Sequence, residues 1–499
     1  MKKYQIIILL TGLIICKFFT SCKKGLLDVS PPDRLSTTVF WKSEADADLA
    51  LTGLYNFLYA TGGNWACQQY EVMGWDNYTD DFFGKHDYGG GYNATSSGIT
   101  PNTGAYVFNY YSNNYKAIAA INSFLANVDK VLTGDKLAKY KGEAYFLRAF
   151  NYFWLAQLYG NVPIVKDDPF KADFKTTMAK STRDEVLAFV KQDLDAAIAA
   201  LPDDAYGSGH AVKTTAQGYK VRALLFEKKY AEAAALAKQI IDGNIYSLNP
   251  DYAANFYKAG QNTSKEIMFS VKFQLPNIEH ADAALNVTMQ TWGGYQGTQN
   301  LIDEYEPNDP RKIMTFFFPG DDAAKGWPFS NPAVAIPGGG QDWIVGFYLP
   351  KKWLTPGLKN PDYGVKGDND YVLLRYADIK LMYAEAQNEA AGPDASVYTQ
   401  VNEVRARPGV NMAALPAGLN QDQMRDRIRH ERRVEFPLEG IRYFDLRRWG
   451  IATQKLNGFA PNPLAPTIKI KYEDKYEFWP IPQAEIDRNA PVLLQNPNY

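Results

Sequence analysis

The 499-residue chain has three cysteines and four histidines. So few cysteines exclude the disulfide framework that small secreted domains rely on and that a large core does not need. His86, His210, His280 and His430 show no metal-ligand spacing, and no H-E-x-x-H motif occurs. Neither a metal site nor a cofactor is expected. A G-x-S-x-G elbow, a Walker loop and a dinucleotide fingerprint are also missing, and no catalytic residue is assigned. With 53 basic and 55 acidic residues, the net charge of −2 gives no basic stripe for nucleic acid. The apolar run Ile6–Ile15, broken only by Thr11 and Gly12, falls short of the roughly 20 residues a spanning helix needs.

That run instead fits the core of a secretory signal, with Lys2 and Lys3 ahead of it. It ends in Phe19-Thr20-Ser21-Cys22. Small residues before a cysteine suit lipoprotein processing, so residues 1–21 read as signal peptide and Cys22 as the lipidated N-terminus. Cys16 follows the bulky Ile14 and Ile15 and is rejected for that role. Cleavage removes Lys2, Lys3 and Lys17 and shifts the charge to −5. Cys67 is then the one cysteine left unmodified. Residues 22–38 lack periodicity, carry Pro31-Pro32, and read as a tether. Residues 39–499 read as a single domain. At 46% hydrophobic residues, the chain has ample material for a core.

Helical periods recur through that domain. Ala216, Tyr219, Ala223 and Phe226 repeat at three and four residues. Tyr230, Ala233, Ala234, Ala237, Ile240 and Ile241 continue the pattern after a break at Lys228-Lys229. Small alanines at facing positions let two helices approach, as in tetratricopeptide hairpins. Leu374, Ala377, Leu381 and Ala384, then Val397, Val401 and Val404, form a second pair around Gly392-Pro393-Asp394. Glu143–Tyr159 pairs with Arg183–Ala200, and Ser43–Tyr59 is a further amphipathic helix. Short strands are predicted at Glu266–Phe273 and Ala465–Lys471. The fold class is mostly α: helical hairpins with large loop-rich insertions at about 62–111 and 244–369. A third, proline-rich stretch runs from Gly450.

The ligand signal sits in the insertions. Residues 65–111 hold 12 aromatic side chains among 47, nearly twice the chain average of 14%. They stand among Gly89-Gly90-Gly91, Asn77, Asp80 and Asp81 rather than on an apolar period. Rings suit the C–H faces of sugars, and carboxylates and amides suit their hydroxyl rims. Candidate contacts are Trp75, Tyr78, Asp80, Asp81 and Tyr88 in the first insertion and Trp292, Tyr295 and Trp327 in the second. Trp75 and Trp292 are expected to stack on cargo, with Asp81 accepting hydrogen bonds from its hydroxyls. Asp76, Asp80 and Asp81 would also supply the paired carboxylates of a glycosidase, but hydrogen bonding to ligand or turn capping is the preferred reading. The block Glu431–Gly450 is dense in charge: Arg432, Arg433, Glu435, Glu439, Arg442, Asp445, Arg447 and Arg448. Its signs balance locally, which predicts a buried ion network rather than catalysis.

Taken together, these segments resemble the SusD-like (RagB/SusD) family from end to end. The resemblance is carried by LLDVSP from Leu26, EAYFLRAFNYFWLAQLYGNVPIV from Glu143 and TTAQGYKVRALLFEKKYAEAAALAKQIIDGNIYSL from Thr214. It continues in LIDEYEPNDPRK, LLRYADIKLMYAEAQNE, VNEVRARPGV and, most specifically, IRHERRVEFPLEGIRYFDLRRWG, Ile428–Gly450. Pro408 and Ala490 stand where the family often has Ala and Asn. The resemblance implies a lipid-anchored outer-membrane protein facing the cell surface. It also implies glycan, or less often peptide, as cargo, and a TonB-dependent transporter as partner. A tetratricopeptide scaffold binding only proteins would lack the aromatic, Gly-rich insertions. A glycoside hydrolase would release reducing sugar. Replacing Cys22 by Ala should leave the protein soluble; a variant still fractionating with the outer membrane would refute lipidation at Cys22.

Overall fold

The computed structural model describes residues 40–59, 72–83, 98–103, 106–171, 173–279, 296–318, 334–335, 344–345, 348, 350–355, 367–462 and 466–499. Cys22 and the tether lie outside them. Helix α1, Glu44–Tyr55, starts where the Asp46 carboxylate accepts from the Ser43 N–H at 2.8 Å. Helix α2, Tyr106–Asn127, leads into α3, Gly134–Tyr159. The sequence period gave α3 one apolar face, yet nearly every side chain from Gly142 to Tyr159 is buried. The reason is its central place: α2 covers it on one side and α4, Arg183–Ala200, on another. It stops at Gly160, whose φ of +69° and 2.9 Å clearance from the Phe478 ring admit no side chain. A Thr182–Glu185 capping box fixes the start of α4.

Helices α5, Lys213–Phe226, and α6, Tyr230–Asp242, form the next pair. The turn between them places Lys228 at φ +58°. The expected alanines Ala216, Ala223, Ala233 and Ala237 are buried. Later come the short helices α7, Gln299–Glu304, and α8, Arg311–Thr315. Helix α9, Tyr376–Ala391, packs on both α6 and α10, Ala395–Arg405. Helix α11, Gln421–Glu435, and α12, Arg442–Arg448, follow, with the short helices Ala452–Leu456 and Gln483–Arg488 after them. The stacked pairs make the mostly helical, tetratricopeptide-like body that was expected.

The strands are short. β1, Phe82–Phe83, pairs antiparallel with β3, Gln296–Gly297. β2, Ile267–Val271, pairs with β6, Tyr371–Arg375. β4, Val334–Ala335, pairs with β5, Ile344–Val345. Leu374, expected in a helix, lies in β6, which runs directly into α9. Its leucine spacing fits either period, and pairing with β2 decides for the strand. The strand expected at Ala465–Lys471 does not form among residues 466–471. There Ile470 exchanges two hydrogen bonds with Gly458 and Phe459 and no ladder follows.

The charged block is buried, as expected, but its partners come mostly from elsewhere in the chain. Glu435, fully buried at the end of α11, accepts from Arg375 Nη1 (2.7 Å), Arg407 Nη2 (2.8 Å) and Arg311 Nη1 (2.8 Å). Glu431 accepts from Arg311 (2.6 Å) and Arg405 (2.8 Å), and Glu439 from Arg375 and Lys352, each at 2.7 Å. Arg432 bridges Asp378 and Asp445, the latter being a pairing within the block itself. Arg448 pairs with Glu385. Burial alone would raise the Glu435 carboxyl; the guanidinium groups of Arg407, Arg375 and Arg311 outweigh it and hold it at about 2.

Between pH 4.5 and 2 the folded protein therefore binds fewer protons at Glu435 than the unfolded chain. That stabilisation is complete above the ordinary glutamate range and is lost as pH falls toward 2. Glu435→Gln should cost on the order of 3 kcal/mol at neutral pH and flatten the acid limb of a urea-midpoint-against-pH curve. An unchanged midpoint and limb would show that the network does not depend on this carboxylate.

Candidate functional site

Five stretches outside the described residues, 60–71, 84–97, 280–295, 319–333 and 356–366, are fixed at both ends by described residues that can be located. Phe83 precedes the second stretch and Gln296 follows the third. These two are register partners, so both stretches leave from one β1–β3 pair. Gly297 donates its N–H to the Tyr348 carbonyl at 3.0 Å, and Tyr348 packs against Phe316 and Phe318. The stretch after Phe318 thus starts beside the same pair. On the other side, Tyr59 stacks edge-on against Phe273, and its hydroxyl donates to the Lys272 carbonyl. Leu275 N–H reaches the Asp368 carboxylate, which brings the root of 356–366 to the same neighbourhood. Three of the stretches, 84–97, 280–295 and 319–333, therefore have a root on one platform at the β1–β3 pair, and 60–71 and 356–366 have a root beside residues 273–275.

The platform is rigid because ion pairs lie beneath it. Thr298 N–H donates to the Asp81 carbonyl at 2.9 Å, and its hydroxyl donates to the Asp80 carbonyl at 2.6 Å. The same Thr298 side chain caps α7. Asp80 accepts two hydrogen bonds from Arg442, at 2.9 and 2.8 Å. Asp81 accepts from Arg433 Nε at 2.8 Å. Burial would raise Asp80, but Arg442 and Arg433 hold it below its ordinary value. Arg433 also reaches Glu304 at 2.8 Å, and His430 meets the other Glu304 oxygen at 2.9 Å. That His430 bond, with Arg433 acting beyond it, pulls Glu304 down to about 2. Helix α7, which follows the 280–295 stretch, is thereby held to α11.

This arrangement changes the role of four sequence candidates. Asp80 and Asp81 are 3% and 1% exposed, and their oxygens are engaged by arginines. They hold the loop roots from below and do not face a ligand. Trp75 is 5% exposed, among Tyr110, Phe444 and Trp479, with ring centroids 4.6 to 5.4 Å away. Beside it a cavity of about 60 Å³, lined also by Trp154 and Met382, has room for a few waters. Tyr78 is equally enclosed and packs on Tyr443 and Trp479. The short helix Val72–Tyr78 turns these rings inward, which gives an aromatic segment a core instead of a ligand face. Tyr88, Trp292, Tyr295 and Trp327 lie outside the described residues.

Asp76 belongs to the same floor. It is fully buried and accepts from the Leu438 N–H, and Leu438 stands at φ +64°. Burial, then the nearby Asp81 charge, push its carboxyl well above the usual range. Its enclosure leaves it no access to a glycosidic bond. Sequence reasoning missed a polar cleft beside the root of the 60–71 stretch, lined by Tyr55, Tyr59, His210 and Lys272. His210 carried no motif, and its partner Glu143 reads in sequence as one more polar residue of α3.

Comparison with known proteins gives the same picture. The family model described as the SusD family matches residues 243–499, and one described as starch-binding, associating with outer membrane, matches residues 26–225. A SusD-like protein of Formosa agariphila, designated P2, is 24% identical over 531 residues and covers all of both chains. A SusD-like protein of Bacteroides ovatus is 23% identical over 90% of this chain and 83% of its own. Among solved structures, a SusD-like carbohydrate-binding protein of Bacteroides fragilis superposes with a TM-score of 0.79 at 22% identity. The match covers 91% of this chain and 99% of that one. Surface glycan-binding protein A of Bacteroides thetaiotaomicron, in complex with laminarihexaose, gives 0.69 at 19% identity, over 92% and 100%. With matches spanning both halves, and stacked helical pairs carrying loops on an ion-paired platform, the chain belongs to the SusD family.

Proposed function

We propose that the chain is a non-enzymatic, lipid-anchored outer-membrane protein that binds glycan on its loop-bearing face and passes it to a TonB-dependent transporter. The observation that carries this reading is the convergence of separate insertion roots on one rigid platform. Loops held by a stiff scaffold are where binding residues concentrate. The aromatic content of those insertions suits sugar faces. A family description that names starch binding and the outer membrane supports the class of cargo and the location. So does a structural neighbour that holds laminarihexaose. The transporter partner is the one that the sequence resemblance implies. A hydrolase is disfavoured because Asp76, Asp80 and Asp81, the carboxylates it would use, are enclosed.

Trp292, with Gly293-Gly294 beside it, remains the proposed stacking residue, and Tyr88, Tyr295 and Trp327 its proposed neighbours. Trp292→Ala should weaken the best glycan found on an array by roughly thirtyfold, about 2 kcal/mol, with an unchanged melting temperature. Trp75→Ala should do the reverse, costing about 3–5 kcal/mol of stability with affinity retained. Replacing residues 280–295 by a short Gly-Ser linker should abolish glycan binding while far-UV circular dichroism stays helical. Undiminished glycan binding by that shortened protein, or release of reducing sugar by the intact one, would overturn the reading.

A further inference from the structure

Beside Tyr59, where the 60–71 stretch begins, lies a cleft of about 130 Å³. Thr52, Tyr55, Leu58 and Tyr59 form one wall, Ser208–His210 a second, and Ser270–Lys272 at the end of β2 the third. About 10–15 Å³ of such space holds one water, so the cleft exceeds what a lone solvent molecule fills and is of the order of one sugar ring.

The cleft has a built polar group. Glu143, in the middle of α3, is completely buried. Its Oε2 lies 2.6 Å from His210 Nδ1 and accepts from the Tyr55 hydroxyl at 2.7 Å. Tyr55 in turn accepts from the Ala211 N–H at 2.8 Å, and its ring meets the imidazole edge-on at 4.8 Å. Every degree of freedom of the imidazole is thus taken up by a neighbour. A carboxylate only accepts, so Nδ1–H is the donor to Glu143 and Nε2 lies on the opposite edge of the ring. His210 is 40% exposed on its side chain, which leaves that nitrogen facing the cleft. Lys272, 33% exposed, offers ammonium hydrogens there and shares Asp370, 2.8 Å away, with Lys258. Ser208 adds a hydroxyl, and Leu58 and Val271 an apolar floor.

We infer that this cleft, with His210 held by Glu143 and Tyr55, is a subsite for one neutral sugar ring of the cargo. The inference rests on the glycan-binding reading and adds residues to it. A ring nitrogen, a donor ammonium and a hydroxyl over an apolar floor match adjacent sugar hydroxyls, each of which both donates and accepts. An anion at Nε2 would face the buried Glu143 carboxylate across the ring. A metal ion would find one nitrogen ligand beside an ammonium, short of the three or four it needs. Glu143 and Tyr55 are positioning residues; His210 touches the ligand.

With four histidines in the chain, ¹⁵N-histidine labelling allows the His210 ring nitrogens to be assigned by loss of signal in His210→Phe. The probes are the methyl glycosides of glucose, galactose and mannose, methyl glucuronoside, and zinc, each at millimolar concentration. At least one neutral glycoside should move the His210 Nε2 resonance. Glu143→Gln should mix the two tautomers of His210 in the free protein, a readout that simple loss of packing would not move. His210→Phe, which keeps the ring against Tyr55 but takes a partner from Glu143, should weaken the best array glycan about tenfold, the scale of one hydrogen bond, with the helical far-UV circular dichroism retained. Silence toward all three neutral glycosides, a response confined to glucuronoside or zinc, or array affinity untouched in His210→Phe would each overturn the inference. The broader glycan-binding reading falls separately, if the unaltered protein captures no glycan on the array.

Discussion

Glu435 is the residue on which the rest of the fold turns. Three guanidinium groups converge on one buried carboxylate, and they arrive from 60 and 28 residues earlier in the chain and, for Arg311, from 124. Taking any of these charges out of water is costly unless its partner is already in place. β6, α8 and the segment after α10 must therefore dock together around the end of α11. Apolar packing tolerates a shifted register with modest loss. A guanidinium that misses its carboxylate in a dry interior does not, so the network selects one arrangement of the helical pairs.

The same chemistry carries the platform. Arg433 and Arg442, on either side of the α11–α12 turn, grip Asp81 and Asp80 from the far N-terminal part of the chain. The backbone carbonyls of those aspartates then hold Thr298. Side chains pair downward and main chain pairs upward, so one two-residue segment joins the core network to the loop roots. The turn itself is fixed by Asp76 on the Leu438 N–H, by Trp353 Nε1 on the Leu438 carbonyl at 3.0 Å, and by Lys352 on the Pro437 carbonyl at 2.8 Å. Leu438 is held in a left-handed conformation because its neighbours leave no other, and it is fully buried there.

A scaffold of this kind separates stability from recognition. Trp75, Tyr78 and the aspartates beside them belong to the stabilising part although they sit in an aromatic, Gly-flanked segment. The insertions that rise from β1, β3 and Tyr348 are left to vary in sequence without disturbing the network below. His210 stands at the boundary. It is positioned by the buried Glu143 of α3 and exposed at the base of the loops.

The helices were legible because they are periodic and locally signalled. Ala216 to Ile241 shows two amphipathic runs with a break where Lys228 takes a positive φ. The buried character of the Glu431–Gly450 block was legible too, from its balanced signs. Its partners were not, because Glu266, Arg311, Arg375 and Asp378 are close only after the chain has folded. Local balance suggested pairing within the block, but in a helix most of its side chains point away from one another. Aromatic density marked a region and not a direction. Whether Trp75 faces ligand or core depends on the turn of Val72–Tyr78 against Tyr443 and Trp479. By itself the sequence determined the helical pairs and the places where they are interrupted, since both are written in neighbouring residues. Only the tertiary structure decided which charges meet, which rings are enclosed and which histidine a buried carboxylate aims outward, since each needs groups brought together from distant parts of the chain.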